Sequence, residues 1–469
     1  MHLYVRMYLY NKKQDLLKFS IISLIVIVCV IYLPHCLNRD NNPNVLLISI
    51  DSLRSDHLGC YGYKRNTSPA IDELAKEGVL FSKAFAQSSH TAPSLGTILT
   101  STMPNMHSLL EFGYTLNPNL PTIAEVLKSK GYKTMFAASG VKSLHGFDKG
   151  FDIFYVPTEN SYGISSRVIN FFQKNLNKPF FIWVHYFDAH SPYTISYPPA
   201  RSSYSNLFIN DGLYDKEKKL PVIVKAGHEY IYDKDSCFGG LPEALSKERG
   251  GIVNPDYYIA HYDGAIRAID NEIGRMLKNL IKLKLDKKTM IIVTSDHGEL
   301  FGEHNYYFLH GWFLYEPLIR VPLIIKYNKV IPRNKIIDTQ VSAHLDIAPT
   351  ILDILKIGKI KKMEGVSLLG IILGKKKYPY PYIFSDEGHT VKSIIDNEWK
   401  LVYTERNNIG FELYNLKNDP MELNNLMYLE KNKVEFLKQK LDKYKHANFQ
   451  KPMLDEDTET RLRSLGYIQ

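Results

Sequence analysis

The chain has 469 residues, of which 45% are hydrophobic and 12% aromatic, so it can bury a large core as one big α/β domain or two domains. Its net charge of +9 does not indicate nucleic-acid binding, because the lysines are scattered and no basic stretch is interleaved with aromatic residues. Four cysteines are too few for a disulfide framework and show no metal-ligand spacing, so they leave the redox compartment open.

The amino terminus carries a targeting signal. Phe19–Leu33 is almost entirely apolar and follows a basic stretch, residues 1–18, which we place in the cytoplasm. The apolar run is short for a span of roughly 20 residues, so residues 19–37 are either a signal segment or a short transmembrane anchor. No Ala-x-Ala-like site follows, which favours an uncleaved anchor. We therefore expect the rest of the chain to be membrane-anchored and extracytoplasmic, in the periplasm or outside the cell, or secreted if the segment is cleaved.

After a polar linker, residues 38–44, strands and helices alternate. This alternation predicts an α/β fold with a doubly wound, mostly parallel sheet flanked by helices. The site of such a sheet lies beyond the carboxyl ends of its strands. The predicted strands are Val45–Ile50, Tyr132–Ala138, Phe180–Tyr186 and Met290–Thr294, and the predicted helices are Ser68–Gly78, Thr91–Thr100, Thr122–Lys130 and Tyr257–Leu280.

Two regions depart from this alternation. Residues 193–255 are rich in Tyr, Pro, Ser and Gly without periodicity, which favours a substrate-shaping insertion in a catalytic domain that spans residues 45–378. From about residue 379 the chain has short alternating segments and then a lysine-rich helix. We expect residues 379–469 to form a small antiparallel sheet subdomain with that helix.

Two carboxylates and an imidazole follow strongly apolar strands. Asp51 ends the first predicted strand, and Asp296 and His297 directly follow the strand Met290–Thr294 and Ser295. With the hydroxyl of Thr91 they would form a mainly oxygen metal site with one nitrogen. This set suits one divalent metal ion, and it does not decide among Zn²⁺, Mn²⁺, Ca²⁺ and Mg²⁺.

Thr91 is the predicted nucleophile. A threonine hydroxyl is weakly nucleophilic at neutral pH unless a base or a metal lowers its pKa. Its position at the start of a helix adds backbone N–H groups that favour an anionic substrate. The alternative is that Thr91 only caps the helix before Pro93.

Two histidines complete the predicted catalytic set. His190 lies just after the strand Phe180–Tyr186, and His310 lies before Gly311-Trp312. Either imidazole is placed to hydrogen-bond the transferred group or to protonate the leaving oxygen. His185 is the weaker candidate, because it lies inside the strand.

These segments together resemble the sulfatase family of the alkaline phosphatase superfamily, over about residues 44–426. The resemblance implies an alkaline phosphatase-like fold in which Asp51, Asp296 and His297 bind metal, and it places His190 and His310 where the family contacts the transferred group. The matching motifs are Asp51–Gly62, Tyr262–Arg267, Ser295–Glu299, Gly302–His304, Arg320–Leu323, Asp346–Thr350 and Glu412–Pro420.

The chain also departs from the family pattern. Sulfatases carry a Cys or Ser that is matured to formylglycine, followed by Pro-Ser-Arg, whereas this chain has Thr91 and, in place of the arginine, Leu95. Ser52 replaces a second metal-binding Asp, and only Lys142 and His145 lie near the place of the family's lysine and histidine pair. We therefore identify a threonine-type member that lacks formylglycine.

The predicted function is metal-dependent hydrolysis of an anionic sulfate or phosphate ester through Thr91, with phosphorus favoured. Two alternatives stay open at this point: a membrane-anchored phosphotransferase acting on lipid or glycan head groups, and an inactive binding protein that keeps the fold. The expected partners are the ester substrate and, through the amino terminus, a membrane, without nucleic acid. The oligomeric state is left open.

Overall fold

The first strand of the sheet, β1, is Asn44–Ile50 and is buried along its whole length. In the computed structural model it lies between two parallel neighbours, pairing Ile50 with Tyr186 on one side and with Ser295 on the other. A strand covered on both edges and both faces favours apolar side chains, which explains the unbroken run Val45–Ile48. The structure describes residues 42–444 except 140–143, 158, 177, 194–203, 205, 210, 214, 216, 224–236, 249, 389 and 406–408.

Within the described residues, nine strands form one large sheet with the order β12-β2-β11-β8-β1-β5-β3-β4, and β13 pairs with β2. All neighbours are parallel except β11, which is antiparallel to β2 and β8. The strands are β1, β2 (Val79–Phe85), β3 (Lys133–Ala138), β4 (Ile153–Tyr155), β5 (Phe180–Tyr186), β6 (Val222–Ile223), β7 (Leu241–Pro242), β8 (Thr289–Ser295), β9 (Leu300–Phe301), β10 (Tyr307–Leu309), β11 (Arg320–Lys326), β12 (Lys335–Ile337) and β13 (Val341–Ser342).

Helices cover both faces of the large sheet. Alternate side chains of β1 enter two separate cores, one shared with α2, α4 and α9 and the other with α1, α5 and α7. The helices are α1 (Pro69–Lys76), α2 (Thr91–Thr100), α3 (Pro104–His107), α4 (Ile123–Ser129), α5 (Ser161–Lys174), α6 (Glu243–Glu248), α7 (Pro255–Lys282), α8 (Glu316–Ile319), α9 (Ala343–Ile354), α10 (Leu369–Ile372) and α11 (Lys431–Lys443). Short 3-10 helices span Ser55–His57, Gly59–Tyr61, Asp286–Lys288 and Glu303–Asn305.

The predicted fold class is confirmed. Helix α7 is longer than the predicted Tyr257–Leu280, because Asn254 caps its amino terminus and Pro255 takes the first helical position. Helix α4 begins with a capping box between Thr122 and Glu125. The strands β2 and β11 are additions to the predicted elements.

A small antiparallel sheet follows the large one, as predicted. It contains β14 (Ile383–Glu387), β15 (Val391–Asp396), β16 (Trp399–Thr404) and β17 (Gly410–Asn415) in chain order. Helix α11 packs its apolar side chains against this sheet. The fully buried ammonium of Lys400 pairs with Glu316 at 3.3 Å and with Glu422 at 2.8 Å, and so joins the small sheet to α8 of the main domain.

Helix α9 carries the buried acid Asp346, which is not part of the predicted site. One carboxylate oxygen of Asp346 accepts a hydrogen bond from the backbone N–H of Val366 at 2.8 Å, and the other accepts one from the Tyr378 hydroxyl at 2.7 Å. Burial nevertheless raises the pKa of Asp346 to about 7. The free energy of unfolding should therefore depend on the protonation of Asp346, and so on pH.

Several sequence-based expectations are not decided by the structure. The predicted anchor, residues 19–37, lies outside the described residues, and so do residues 1–18, most of the linker and the end of the chain. Among the residues that are described, no helix has the length and apolar character needed to cross a bilayer. The predicted domain boundaries, the anchor and the extracytoplasmic location stay predictions.

Candidate active site

The acids of the predicted site follow two neighbouring strands. Because β1 and β8 are parallel and end in register, Asp51 and Asp296 emerge side by side at the carboxyl edge of the sheet. The backbone N–H of Ser52 donates to Asp296 Oδ1 at 3.1 Å. The imidazole of His297 lies with Nε2 3.8 Å from Asp51 Oδ1 and 3.5 Å from Asp296 Oδ2. All these side chains are fully buried.

The turn after Asp51 has a left-handed residue. Ser52 has a φ of 56°, and its hydroxyl donates to Asp51 Oδ1 at 2.8 Å. The Tyr262 hydroxyl of α7 donates to the carbonyl of Ser52 at 2.8 Å and accepts from the N–H of Arg54 at 2.9 Å. These bonds hold the turn in a conformation that non-glycine residues rarely adopt, with Asp51 aimed at Asp296.

Thr91 lies at the first position of α2 and faces the same cluster. Its hydroxyl oxygen is 3.2 Å from His297 Nε2 and donates to Asp51 Oδ2 at 3.4 Å. The side chain is 2% exposed, so the hydroxyl is held away from bulk water. The structure therefore brings together all four predicted metal-site residues, Asp51, Thr91, Asp296 and His297, although their roles stay predictions.

His185 also reaches the cluster, although its position inside a strand had made it the weaker candidate for a catalytic histidine. Its Nε2 is 3.5 Å from Asp51 Oδ2, and its Nδ1 is 2.9 Å from the Ser49 hydroxyl. The signal that locates it is the pairing of β1 with β5, which sets His185 opposite Ser49, two residues before Asp51. Sheet order is not readable from either strand alone, which is why the sequence underrated this residue.

The donor atoms fit a divalent cation. Asp51, His185 and Asp296 each offer one ligand atom, and these atoms lie within 4.8 Å of one another. His185 Nε2 and Asp296 Oδ2 are buried without a hydrogen-bond partner, which is costly unless something else satisfies them. Asp51 and Asp296 also belong to the predicted metal site with Thr91 and His297. The two groups of residues therefore surround the same position.

Charge balance supports the same assignment. Burial and the repulsion of Asp51 raise the pKa of Asp296 well above its ordinary value. Burial alone would raise the pKa of Asp51, but the neighbouring imidazoles, His190 first, lower it below the ordinary range. It is therefore unfavourable for both adjacent carboxylates to be ionised at the same time. A bound dication would stabilise the two negative charges.

The other predicted catalytic histidines line the site. The ring of His310 lies 4.5 Å from that of His297 and 4.9 Å from that of His190, measured between ring centres. His310 Nδ1 is 3.1 Å from Glu299 Oε1. Burial would lower the pKa of His310, but Glu299 raises it above the ordinary value, whereas burial lowers the pKa of His190. The two imidazoles therefore differ in how readily they hold a proton.

The loop before Thr91 is held by the small sheet. At the end of β14, Glu387 Oε2 accepts three hydrogen bonds, from the Ser88 hydroxyl at 2.6 Å, the Ser89 N–H at 2.8 Å and the Ser89 hydroxyl at 3.0 Å. Next to it, the N–H of Asp386 donates to the carbonyl of Gln87 at 2.8 Å. Glu387 was not predicted from the sequence, because no local motif marks it.

Two other positions that depart from the sulfatase pattern hold a buried leucine and an exposed histidine. Leu95 is fully buried in the core beneath α2, so no charged side chain occupies that place. His145 is exposed, and its backbone bridges to Thr115. Lys142 lies outside the described residues.

Comparison with known proteins agrees with this geometry. Residues 43–357 match the family described as Sulfatase, and residues 302–448 match the family described as N-sulphoglucosamine sulphohydrolase, C-terminal. An N-acetylglucosamine-6-O-sulfatase of Bacteroides thetaiotaomicron is 26% identical to this chain over 90% of it and 91% of that relative. The first family match, residues 43–357, includes Asp51, Thr91, Asp296 and His297.

Solved structures show the same architecture. A protein in complex with its substrate D-glucosamine-2-N,6-O-disulfate has a TM-score of 0.68 at 21% identity, covering 91% of this chain and 98% of its own. The phosphonate monoester hydrolase of Agrobacterium radiobacter has a TM-score of 0.66 at 20% identity, covering 86% and 95%. At such identities the likeness concerns the fold alone.

Fold and site together define a hydrolase of ester bonds that has an α/β fold, with a cluster of buried acids and histidines at the carboxyl edge of the sheet. The family match covers more than half of the chain, so the chain belongs to the sulfatase family, as the sequence motifs indicated. Sulfatases of this fold use a divalent metal ion, and the donor cluster around Asp51 fits one.

Proposed function

We propose that this enzyme hydrolyses sulfate or phosphate esters of sugars, with Thr91 as the nucleophile at a divalent cation bound by Asp51, Asp296 and His297, and with His185 as a further candidate ligand. The observation that carries the proposal is the position of the Thr91 hydroxyl, 3.2 Å from His297 Nε2 and 3.4 Å from Asp51 Oδ2. A sugar ester is inferred from the name of the related N-acetylglucosamine-6-O-sulfatase.

The chemistry follows from the residues present. When bound, a divalent cation would lower the pKa of the Thr91 hydroxyl and offset charge on the ester oxygens. The Thr91 oxygen attacks the sulfur or phosphorus atom, and the bond to the sugar oxygen breaks. His310 is the better acid for that leaving oxygen, because Glu299 raises its pKa. His190 stays neutral more readily and can accept a proton from the water that later attacks.

The second half of the reaction separates this enzyme from formylglycine sulfatases. A formylglycine hydrate expels sulfate by collapsing to an aldehyde, which the Thr91 side chain cannot do. Water must therefore attack the sulfur or phosphorus atom of the Thr91 ester directly. We favour phosphorus, because a threonine at this position resembles the threonine-dependent phosphatases and phosphodiesterases of the superfamily.

Thr91→Ala tests the nucleophile. Turnover should fall about 10³-fold or more, as expected for the loss of a catalytic nucleophile, while Thr91→Ser keeps part of it. The substrates are 4-nitrophenyl sulfate, 4-nitrophenyl phosphate, bis(4-nitrophenyl) phosphate and the 6-sulfate and 6-phosphate of N-acetylglucosamine, each with several metals. Full activity of the alanine variant would refute the assignment. Mass spectrometry of the quenched wild-type enzyme should find the transferred group on the peptide with Thr91.

The two other functions are separable by measurement. An inactive binding protein predicts no bound dication in the purified protein, whereas the hydrolase predicts one that Asp296→Asn removes together with activity. A phosphotransferase predicts that a lipid or glycan acceptor outcompetes water as the acceptor. In the hydrolase, released phosphate or sulfate equals released alcohol whatever acceptor is added.

A further inference from the structure

The edge of the large sheet opposite the candidate site is strongly basic. Strands β1, β2, β3, β5, β8 and β12 are parallel and begin at this edge, and the antiparallel β11 ends there. The connections that lead into these strands include residues 77–78, 130–132, 175–179, 283–288 and 327–334. Their cations are Lys130, Lys178, Lys284, Lys287, Lys288, Lys329 and Arg333, and their acids are Glu77 and Asp286. We call this surface the basic edge.

Most of the positive charge at the basic edge is not neutralised. Glu77 pairs with Arg333 at 3.2 Å and also with Lys326, the last residue of β11. The remaining cations, which we call the edge lysines, are Lys130, Lys178, Lys284, Lys287, Lys288 and Lys329. All of them are exposed, and within the described residues none has a carboxylate at ion-pair distance. Their charges therefore add to one positive field.

The dipoles of the α-helices explain only part of this charge. A lysine in the last turn of a helix is stabilised by the partial negative charge there, and Lys174 and Lys282 occupy such positions. The edge lysines Lys178 and Lys287 lie beyond the last turn of the preceding α-helix, and Lys329 follows a strand. The dipole effect falls off within one turn, so the accumulation of lysines at this edge has another cause.

Exposed apolar side chains lie among the edge lysines. Leu176 precedes β5 and is 49% exposed, Val330 lies between β11 and β12 and is 37% exposed, and Ile281 in the last turn of α7 is 61% exposed. Cations on long aliphatic stems beside exposed apolar side chains are typical of protein surfaces that lie in the head-group region of a bilayer.

The amino-terminal part of the chain joins the middle of the basic edge. Strand β1 begins at Asn44, between β8 and β5. The Asn44 amide donates to the Thr289 hydroxyl at 3.4 Å and accepts a hydrogen bond from the N–H of Phe180 at 3.2 Å. Lys288 directly precedes Thr289, and Lys178 lies shortly before Phe180. Edge lysines therefore flank the start of β1 on both sides.

We propose that the basic edge lies on the surface of a bilayer that contains anionic phospholipids, and that the active site faces away from this bilayer. The predicted anchor, residues 19–37, would join the domain here through residues 38–43, which span at most about 20 Å when extended. Lysines held close to an anionic lipid surface are attracted to it. Strand β1 has seven residues and is therefore about 20 Å long, so Asp51 and Thr91 at its far end stay open to a substrate in solution.

The test is lysine footprinting of the full chain by mass spectrometry. The protein is acetylated briefly with vesicles of phosphatidylcholine alone, or of phosphatidylcholine mixed with phosphatidylglycerol, and the rate is measured for each lysine. Acetylation of the edge lysines should be about fivefold slower with the anionic vesicles than with the neutral ones. The internal controls are Lys64, in the connection that follows β1, and Lys417, after the last strand of the small sheet; both are exposed. Their rates should change less than about twofold.

A charge variant tests whether the lysines themselves cause the protection. Lys284→Gln, Lys287→Gln and Lys288→Gln together should leave Lys178 and Lys329 about equally reactive with the two kinds of vesicle, because most of the attraction is removed. The matched control replaces Lys431, Lys438 and Lys443 of α11 by glutamine and should keep the wild-type protection. The midpoint of urea unfolding is measured for both variants and should equal that of the wild type.

Three results would overturn the proposal: equal acetylation of the edge lysines with both kinds of vesicle, equal protection of Lys64 and Lys417, or the same loss of protection in both triple variants. Protection of the edge lysines by duplex DNA at a lower phosphate concentration than by the anionic vesicles would also overturn it, because the basic edge would then be a nucleic-acid surface.

Discussion

Replacing Glu387 by glutamine tests whether the small sheet holds the turn that precedes Thr91. Glutamine keeps the size of the side chain and one oxygen acceptor but removes the negative charge. In the wild-type structure a single carboxylate oxygen accepts three hydrogen bonds from Ser88 and Ser89, at 2.6, 2.8 and 3.0 Å. The turn is therefore tied to an element almost 300 residues away in the sequence.

The magnitude follows from these bonds. A hydrogen bond to a charged group contributes about 2 kcal/mol and a neutral one about 1 kcal/mol, so three bonds lose about 3 kcal/mol in total. If this loss appears in the transition state, kcat falls about 100-fold, since each 1.36 kcal/mol is a factor of ten. The three hydrogen bonds that Glu387 Oε2 accepts come from Ser88 and Ser89 and not from the predicted metal ligands, so the bound metal should change little.

The assay is aryl-ester kinetics together with metal content and urea unfolding on the same samples. Ser88→Ala with Ser89→Ala should lower kcat in the wild type and add little in the Glu387→Gln background, because the two changes remove the same bonds. Glu398→Gln is the control, because this half-exposed glutamate lies in the turn between β15 and β16 of the same sheet. Glu387 does not hold the turn before Thr91 if kcat of Glu387→Gln stays within about threefold of wild type, or if the effects of the serine and glutamine substitutions simply add.

Two further predictions concern the metal and the pH dependence. His185→Ala should weaken divalent metal binding about 10- to 100-fold without unfolding the protein, as measured by competition with a chelating dye. The control is His145→Ala, which replaces an exposed histidine and should not change metal affinity. Equal metal affinities of the His185 variant and the wild type would exclude His185 as a ligand. For Asp346 the folded-state pKa of about 7 exceeds the ordinary value of 3.8. The unfolded chain therefore loses this proton at lower pH than the folded one, so the free energy of unfolding declines between about pH 4 and 7, by about 4 kcal/mol in total. Asp346→Asn should flatten this decline in urea titrations, and a slope identical to wild type would contradict it.

The sequence alone determined the fold class and the core of the candidate site. Two apolar strands are each followed directly by polar residues, Asp51 after one and Ser295-Asp296-His297 at the end of the other. The carboxyl ends of parallel strands lie at the same edge of a sheet, so these residues were expected to lie close together. Thr91 was also located from a local pattern, because the start of a helix can be recognised in the sequence. The sulfatase motifs fixed the family, which the comparison confirms.

The tertiary structure decided what depends on pairing between distant segments. His185 faces Asp51 only because β5 lies beside β1, and Glu387 reaches Ser88 only because the small sheet docks on the loop before α2. Neither contact leaves a local signal, since burial and hydrogen bonding at these positions are set by neighbours more than a hundred residues away. Strand ends and helix starts are encoded locally, whereas the partners that complete a site are chosen by sheet order and domain packing.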